Sequence, residues 1–449
     1  MNQRDNRGLS WHFALNFKTE NIEQKGKMKF KQIIRTLFVI CVLSIAVRAQ
    51  GQLKPLSLSD YLKAALKYNP LLGSAEQMKT SAKYSSEAVR KSYYPQIGVG
   101  SHLIVAPGYD PAITNGGEFG AQISGSYLIY DGGARGYEIQ KGGVGVEQGT
   151  LNQSRTKADI VYSVSTAFVA ALKEKRELDV VEDGYSLLDN YLQLVKQLQA
   201  SGQGSETDVL KTTVDLNNAA IDINARKVSF ANSLLALAQA AGLPSNEVTD
   251  VDTSSVAISY DTTFHAEKSI DLQSQALLLK QADLEAEIAS AKLKPIVSVG
   301  ADAGALTSLP NIKPGLANVF GVSMGISVSL PVFTIGSLQD NYLAAEANSK
   351  SISLQNDYAR NSLVHNFQAT KNDIARARSE IDAFKKNLVV AQQNYLLSKA
   401  KYAVGSGLSI EVLSAVQMVN QIRLAIEEAR AQMEMSVLKL NRLNYSGAK

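Results

Sequence analysis

The chain is 449 residues long, room for two or three ordinary domains, and its formal net charge of +4 is concentrated at one end. Residues 1–49 hold 9 Lys/Arg against 3 Asp/Glu, leaving 37 against 39, a net of −2, for the remainder. The basic balance belongs to a leader, so it gives no support for nucleic-acid binding.

That leader contains Met28 to Gln50, laid out as a secretory signal. Lys29, Lys31 and Arg35 precede an apolar core from Leu37 to Val47, and Val47-Arg48-Ala49 supplies a small-residue cleavage site. The core, about a dozen residues, is too short to span a bilayer as a helix. Residues 1–27, with the only tryptophan, Trp11, lie upstream of a start at Met28 and read as an extension. The single cysteine, Cys41, follows Ile40 where a lipoprotein signal wants a small residue, which argues against lipidation. The exported chain would then have no disulfide and must be held by packing. No later segment has the length and apolarity of a transmembrane helix, so entry into a membrane would require a β-barrel.

The division this implies is an extension (1–27), a signal peptide (28–49), a first repeat (50–243), a linker (244–263) and a second repeat (264–446). Leu56 to Ser92 reads as helix, capped by Ser57 or Ser59 and broken or kinked at Pro70. At Pro95 the period changes to two: Ile97, Val99, Ser101, Leu103 and Val105 alternate with Gln96, Gly98, Gly100, His102 and Ile104. After a loop over 106–117, Phe119, Ala121, Ile123, Tyr127 and Ile129 form one face of a second strand. The later half repeats the pair from Pro295 to about Leu306 and from Phe320 to Leu330, with Pro310 and Pro314 in the loop between. These strands, of ten to twelve residues, have the length a tilted bilayer-crossing strand needs. One face is apolar and the other small or polar, as in a barrel with lipid outside and water inside. A β-sandwich is the commoner use of such strands, but four strands and no second sheet make a poor sandwich.

Each strand pair leads into a long helical pattern, about 134–200 and 337–402, and no proline falls between 112 and 243 or after 331. Such helices would each be about 100 Å long. Leu178, Val181, Tyr185, Leu188, Leu192 and Val195 settle into heptad spacing, as do Ile374, Ala377, Ile381, Phe384, Leu388, Ala391 and Tyr395. The tip ends should therefore pair as coiled coils. Shorter helices return over about 207–241 and 409–443. Between outgoing and returning helices lie SGQGSETDVL (Ser201–Leu210) and VGSGLSIEVL (Val404–Leu413), which superpose on a shift of 203 residues. Gly202 meets Gly405, Gly204 meets Gly407, and Asp208 meets Glu411.

Four strands cannot close on themselves, and open edges in lipid are forbidden, so further copies must supply strands. A dimer gives eight and a trimer twelve; the small residues Gly321, Ser323, Gly325 and Ser327 suit an open lumen and favour the trimer.

The signal, the duplicated order of elements, Tyr130-Asp131-Gly132-Gly133 at a strand-to-helix turn and Tyr402 to Leu413 at a tip together resemble the TolC-type outer membrane efflux protein family, over about residues 56–445. The resemblance implies an α+β membrane protein whose protomer gives four strands to a trimeric twelve-stranded outer-membrane barrel, continued by a periplasmic helical tunnel. It further implies that the tips, here Gly202, Gly204, Ser205, Gly405, Gly407 and Leu408, dock on a periplasmic adaptor joined to an inner-membrane pump of the RND or ABC type. Asp208, Tyr402 and Glu411 would form the periplasmic gate; helix-dipole chemistry at the two acids is the plainer account. Two family positions depart from the pattern, with Gly407 in place of an arginine and Ser414 in place of an acid, so fewer polar ties are expected.

No catalytic constellation, nucleotide motif or cofactor fingerprint emerges. His102, His265 and His365 share no metal-ligand spacing, and Gly143, Gly145 and Gly149 miss the dinucleotide pattern. The reading is a passive exit duct of a tripartite efflux or type I secretion system, the alternative a periplasmic coiled-coil scaffold.

Overall fold

The computed structural model describes residues 56–107, 109, 117–253, 260–308, 319–332 and 335–445. The leader with Trp11 and Cys41, and the loop prolines Pro111, Pro310 and Pro314, lie outside the described residues.

Helix α1 (Leu58–Tyr68) starts where Ser57 and Asp60 bond reciprocally, the Ser57 amide donating to Asp60 Oδ2 at 3.2 Å. Asn69 ends α1 and begins α2 (Pro70–Ser92), accepting the Leu71 amide at 3.0 Å while Pro70 fills the first helical position. The predicted break at Pro70 is therefore a clean junction of two helices. Strands β1 (Gln96–Val105) and β2 (Gly117–Asp131) follow, then helices α3 (Ala134–Ala200) and α4 (Glu206–Ala241), which ends at left-handed Gly242. The second half supplies α5 (Ile270–Ala291), β3 (Ile296–Ser308), β4 (Phe320–Ser329), α6 (Ser337–Ala403) and α7 (Ser409–Leu443). Helices α3 and α6 are each 67 residues long, and both of their bounds are offset by 203 (134 to 337, 200 to 403).

The strands form one antiparallel sheet in the order β1-β2-β3-β4. Two of them exceed the expected length: β2 has 15 residues and β3 has 13. One of the extra residues of β2 is a bulge: Leu128 pairs with Ser298 while Tyr130 pairs with Val297, leaving Ile129 without a place in the ladder. Beyond the bulge, Asp131 turns the chain into α3, its carboxylate accepting the amides of Gly133 (3.2 Å) and Arg135 (2.8 Å).

The apolar face of the sheet is uncovered. Val99 is 82 % exposed and Met324 80 %, and Phe320, Val322, Ile326 and Val328 are exposed beside them. Among the described residues no helix is long and apolar enough to cross a membrane.

Packing orders the four long helices as α4-α3-α7-α6. Their heptad positions are buried as the spacing requires: Val181, Leu188, Leu192 and Val195 on α3, Ile374, Ala377, Ile381, Ala391 and Tyr395 on α6. A core near the upper end joins Tyr61, Phe168, Leu172 and Leu237, closed by Val248 and Val251 from the linker. That linker contributes a 3-10 turn at Ser245–Glu247 and a parallel bridge, Leu56 to Val251. Between core and tips, partly buried ion pairs cross from α3 to its neighbours: Arg176 to Glu434 at 3.4 Å, and Glu177 to Arg226. Burial pushes the carboxyls of both Glu434 and Glu177 above the usual range, against the pull of the arginines beside them.

Candidate functional site

The two tips close in the same way. The second residue after each outgoing helix turns left-handed, Gly202 at φ 75° and Gly405 at φ 73°. One residue on, the Gln203 amide bonds back to Leu198 O at 2.8 Å and the Ser406 amide to Lys401 O at 2.9 Å. The second glycines answer a different need. A Cβ on Gly204 would lie 2.8 Å from the Gln199 amide nitrogen, and one on Gly407 would lie 2.9 Å from Lys401 Cβ. Each tip is thus folded down onto the last turn of its own long helix.

The returning helices then diverge. Ser205 caps α4, its Oγ accepting the Thr207 amide at 3.1 Å. Leu408, in the matching place, has no oxygen to offer, and Glu411 reaches back instead, its Oε2 accepting the Leu408 amide at 3.4 Å. Glu411 is exposed and spends this contact on its own helix. Its counterpart Asp208 leaves its helix altogether and accepts the Tyr402 hydroxyl at 3.1 Å, across 194 residues of sequence.

Beside that tie lies a second one. Tyr191 is 0 % exposed, and its hydroxyl donates to Ser409 Oγ at 2.9 Å. The Tyr191 and Tyr402 rings meet edge to face with centroids 5.5 Å apart. Burial, then the hydrogen bond to Asp208, pushes the Tyr402 phenol up to about 12. Burial likewise raises Tyr191, so both hydroxyls stay protonated donors. Tyr191 sits on α3, Asp208 on α4, Tyr402 on α6 and Ser409 on α7, so every tip helix contributes one residue. Leu188, Val195, Val412, Leu413 and Val416 enclose them in one apolar core.

Of the residues singled out from the sequence, Asp208 and Tyr402 are brought together and Glu411 is not brought to either. Tyr191 and Ser409 escaped notice. Tyr191 lies on the flank of the heptad seam, and a hydroxyl-bearing aromatic among Leu188, Leu192 and Val195 was the available signal. The histidines stay apart: His102 pairs with Glu118 at 3.1 Å, His265 with Asp261 at 3.3 Å, and His365 lies on α6. Among the described residues no group of three His, Cys, Asp or Glu could hold a metal ion. Gly143, Gly145 and Gly149 lie within α3, where Gly149 admits the backbone of α2: a Cβ there would be 3.2 Å from Lys79 Cα.

The model of the outer membrane efflux protein family matches residues 61–243 and 266–444. Outer membrane protein TolC of Salmonella enteritidis is 20% identical over 418 residues, covering 90% of this chain and 84% of that protein. Its namesake in Vibrio cholerae is 23% identical over 308 residues, 65% of this chain and 69% of the relative. Among solved structures, the outer membrane protein VceC of Vibrio cholerae superposes with a TM-score of 0.77 at 15% identity, covering 87% of this chain and 97% of the other. The CmeC outer membrane channel of Campylobacter jejuni gives 0.75 at 15% identity, over 87% and 86%. With one family model spanning both repeats of the fold, the chain belongs to the outer membrane efflux protein family.

Proposed function

We propose that three copies of the chain assemble into an exit duct, a twelve-stranded barrel in the outer membrane above a periplasmic helical tunnel. The carrying observation is a four-stranded sheet that exposes its whole apolar face and leaves β1 and β4 as open edges. In lipid, each unpaired edge group would cost several kcal/mol, so β4 of one copy must continue into β1 of the next. The helices support the same closure. The outer members of the row, α4 and α6, both carry exposed apolar residues at heptad spacing: Val214, Ile221, Val228 and Leu235 on one, Val390 and Leu397 on the other, continued by Val404 just past its end. These are seams without partners in the protomer, and a neighbouring copy brings one against the other.

The glycine tips then face the periplasm, opposite the barrel. There Gly202, Gly204, Ser205, Gly405, Gly407 and Leu408 form the surface for a periplasmic adaptor, itself coupled to an inner-membrane pump of RND or ABC type. Asp208 and Tyr402 hold the mouth shut, and three copies of Glu411 ring it with negative charge. Energy for export comes from the pump, and the duct itself is passive.

The test is fractionation followed by planar-bilayer recording. A heat-modifiable trimer in outer-membrane fractions that conducts ions supports the duct. A soluble periplasmic monomer would instead establish the coiled-coil scaffold. Glu411→Ala should lower cation selectivity, and unchanged selectivity would remove Glu411 from the ring.

A further inference from the structure

We infer that Tyr191 and Ser409 form a second latch of the tip, coupled to Asp208–Tyr402 through the edge-to-face contact of the tyrosine rings, so that the mouth opens only when both bonds part together. The inference rests on the reading of the tips as the duct's periplasmic mouth and adds two residues to it.

Both bonds join one half of the chain to the other. Tyr191 to Ser409 spans 218 residues and links α3 to α7; Asp208 to Tyr402 spans 194 and links α4 to α6. Neither bond can survive a movement of the second hairpin away from the first. Their environments differ in a way that matters for opening. Asp208 is half-buried, so water can replace Tyr402 as its partner as the helices separate. Tyr191 is 0 % exposed and Ser409 5 %, so the first increment of separation leaves both hydroxyls unpaired before water can enter. The bond therefore resists the start of opening and offers nothing once the gap is wet. That is the behaviour of a latch, not of a spring.

The ring contact makes the two bonds one unit. With centroids 5.5 Å apart and an interplanar angle of 64°, neither tyrosine can swing out without displacing the other. Position adds leverage, because Ser409 is the first residue of α7, directly after the tip. Farther along the same pair of helices the crossing contact is Arg423 to Asp183 at 2.9 Å, an ion pair open to solvent that breaks and re-forms at little cost. The repeat does not reproduce the latch, since a shift of 203 carries Tyr191 to Asn394 and Ser409 to Glu206, both exposed.

The test uses the full-length protein in planar bilayers. Tyr191→Phe keeps the ring and removes the hydroxyl; Ser409→Ala removes its acceptor. Each should raise single-channel conductance severalfold, and Ser409→Thr, which restores a hydroxyl, should return it to the original level. Combining Tyr191→Phe with Ser409→Ala should add nothing to either alone, whereas Tyr191→Phe with Tyr402→Phe should open the channel further. Hydrogen exchange in the first turn of α7 should quicken in both single variants. Variants that conduct and exchange like the unaltered protein would overturn the latch. Failure of the unaltered protein to form any channel would overturn the duct reading instead.

Discussion

The two halves of this chain match in every length that sets their reach and differ in how they finish their turns. Helices α3 and α6 have the same 67 residues, and both tips bend at a left-handed glycine. Yet the first tip has a serine cap and an acid free to reach across, while the second has a leucine cap and an acid occupied at home. Ser205 Oγ takes the Thr207 amide while Asp208 turns to Tyr402; Glu411, in the matching place to Asp208, bonds the Leu408 amide of its own helix start. Duplicated backbones have thus been given unequal chemistry by a few side chains.

Removing the aromatic core of the first tip should have the largest effect. Tyr191→Ala leaves a cavity and an unpaired Ser409, costing about 3–5 kcal/mol locally, which hydrogen exchange along the ends of α3 and α7 would read. Asp208→Asn should come next, weakening the tip by about 1–3 kcal/mol, while Glu411→Gln in the second tip stays within about 0.5 kcal/mol. Equal effects from the two would erase the asymmetry just described; limited proteolysis at the tips compares them directly.

Alkali offers a test without mutation. The Tyr402 phenol titrates at about 12 in the folded tip against an ordinary 10.0, so the fold retains a proton that the unfolded chain releases. Its contribution is complete below pH 10 and drains away as pH climbs toward 12, and Tyr191, raised by burial too, loses its share in the same direction. Tip exchange rates should rise over that window, and less in Tyr402→Phe. A more modest gain in stability concerns the strand-to-helix turns. Ile335 stands at φ 51° where the first half has Gly132 at φ 71°, and it is 86 % exposed. Ile335→Gly should stabilise that turn by up to about 1 kcal/mol, seen as a higher unfolding temperature.

Much of this architecture was legible in the sequence because it is periodic. The change from period two to a heptad, the missing prolines and the paired glycines mark strands, long helices and tips to within a few residues. The bulge at Ile129 was not legible, since an extra backbone residue leaves no trace in an apolar side-chain pattern. Nor was the contact Glu411 makes: the pattern marks an acid in the first turn of a helix, and only the fold shows its carboxylate on the Leu408 amide while Asp208 crosses to Tyr402. Tyr191 was hidden for a third reason. In the sequence it flanks an apolar seam, and only folding brings its hydroxyl to a serine 218 residues away.

Equal legs also limit how the molecule can change in size. Dropping one heptad from α3 and α4 alone would retract the first tip by about 10 Å and leave Tyr191 facing the wrong turn of α7. The second hairpin would stand proud, its apolar flank bare. A shorter or longer reach therefore has to be written twice, seven residues at a time, at places 203 positions apart. The reach of the two hairpins comes only in whole steps.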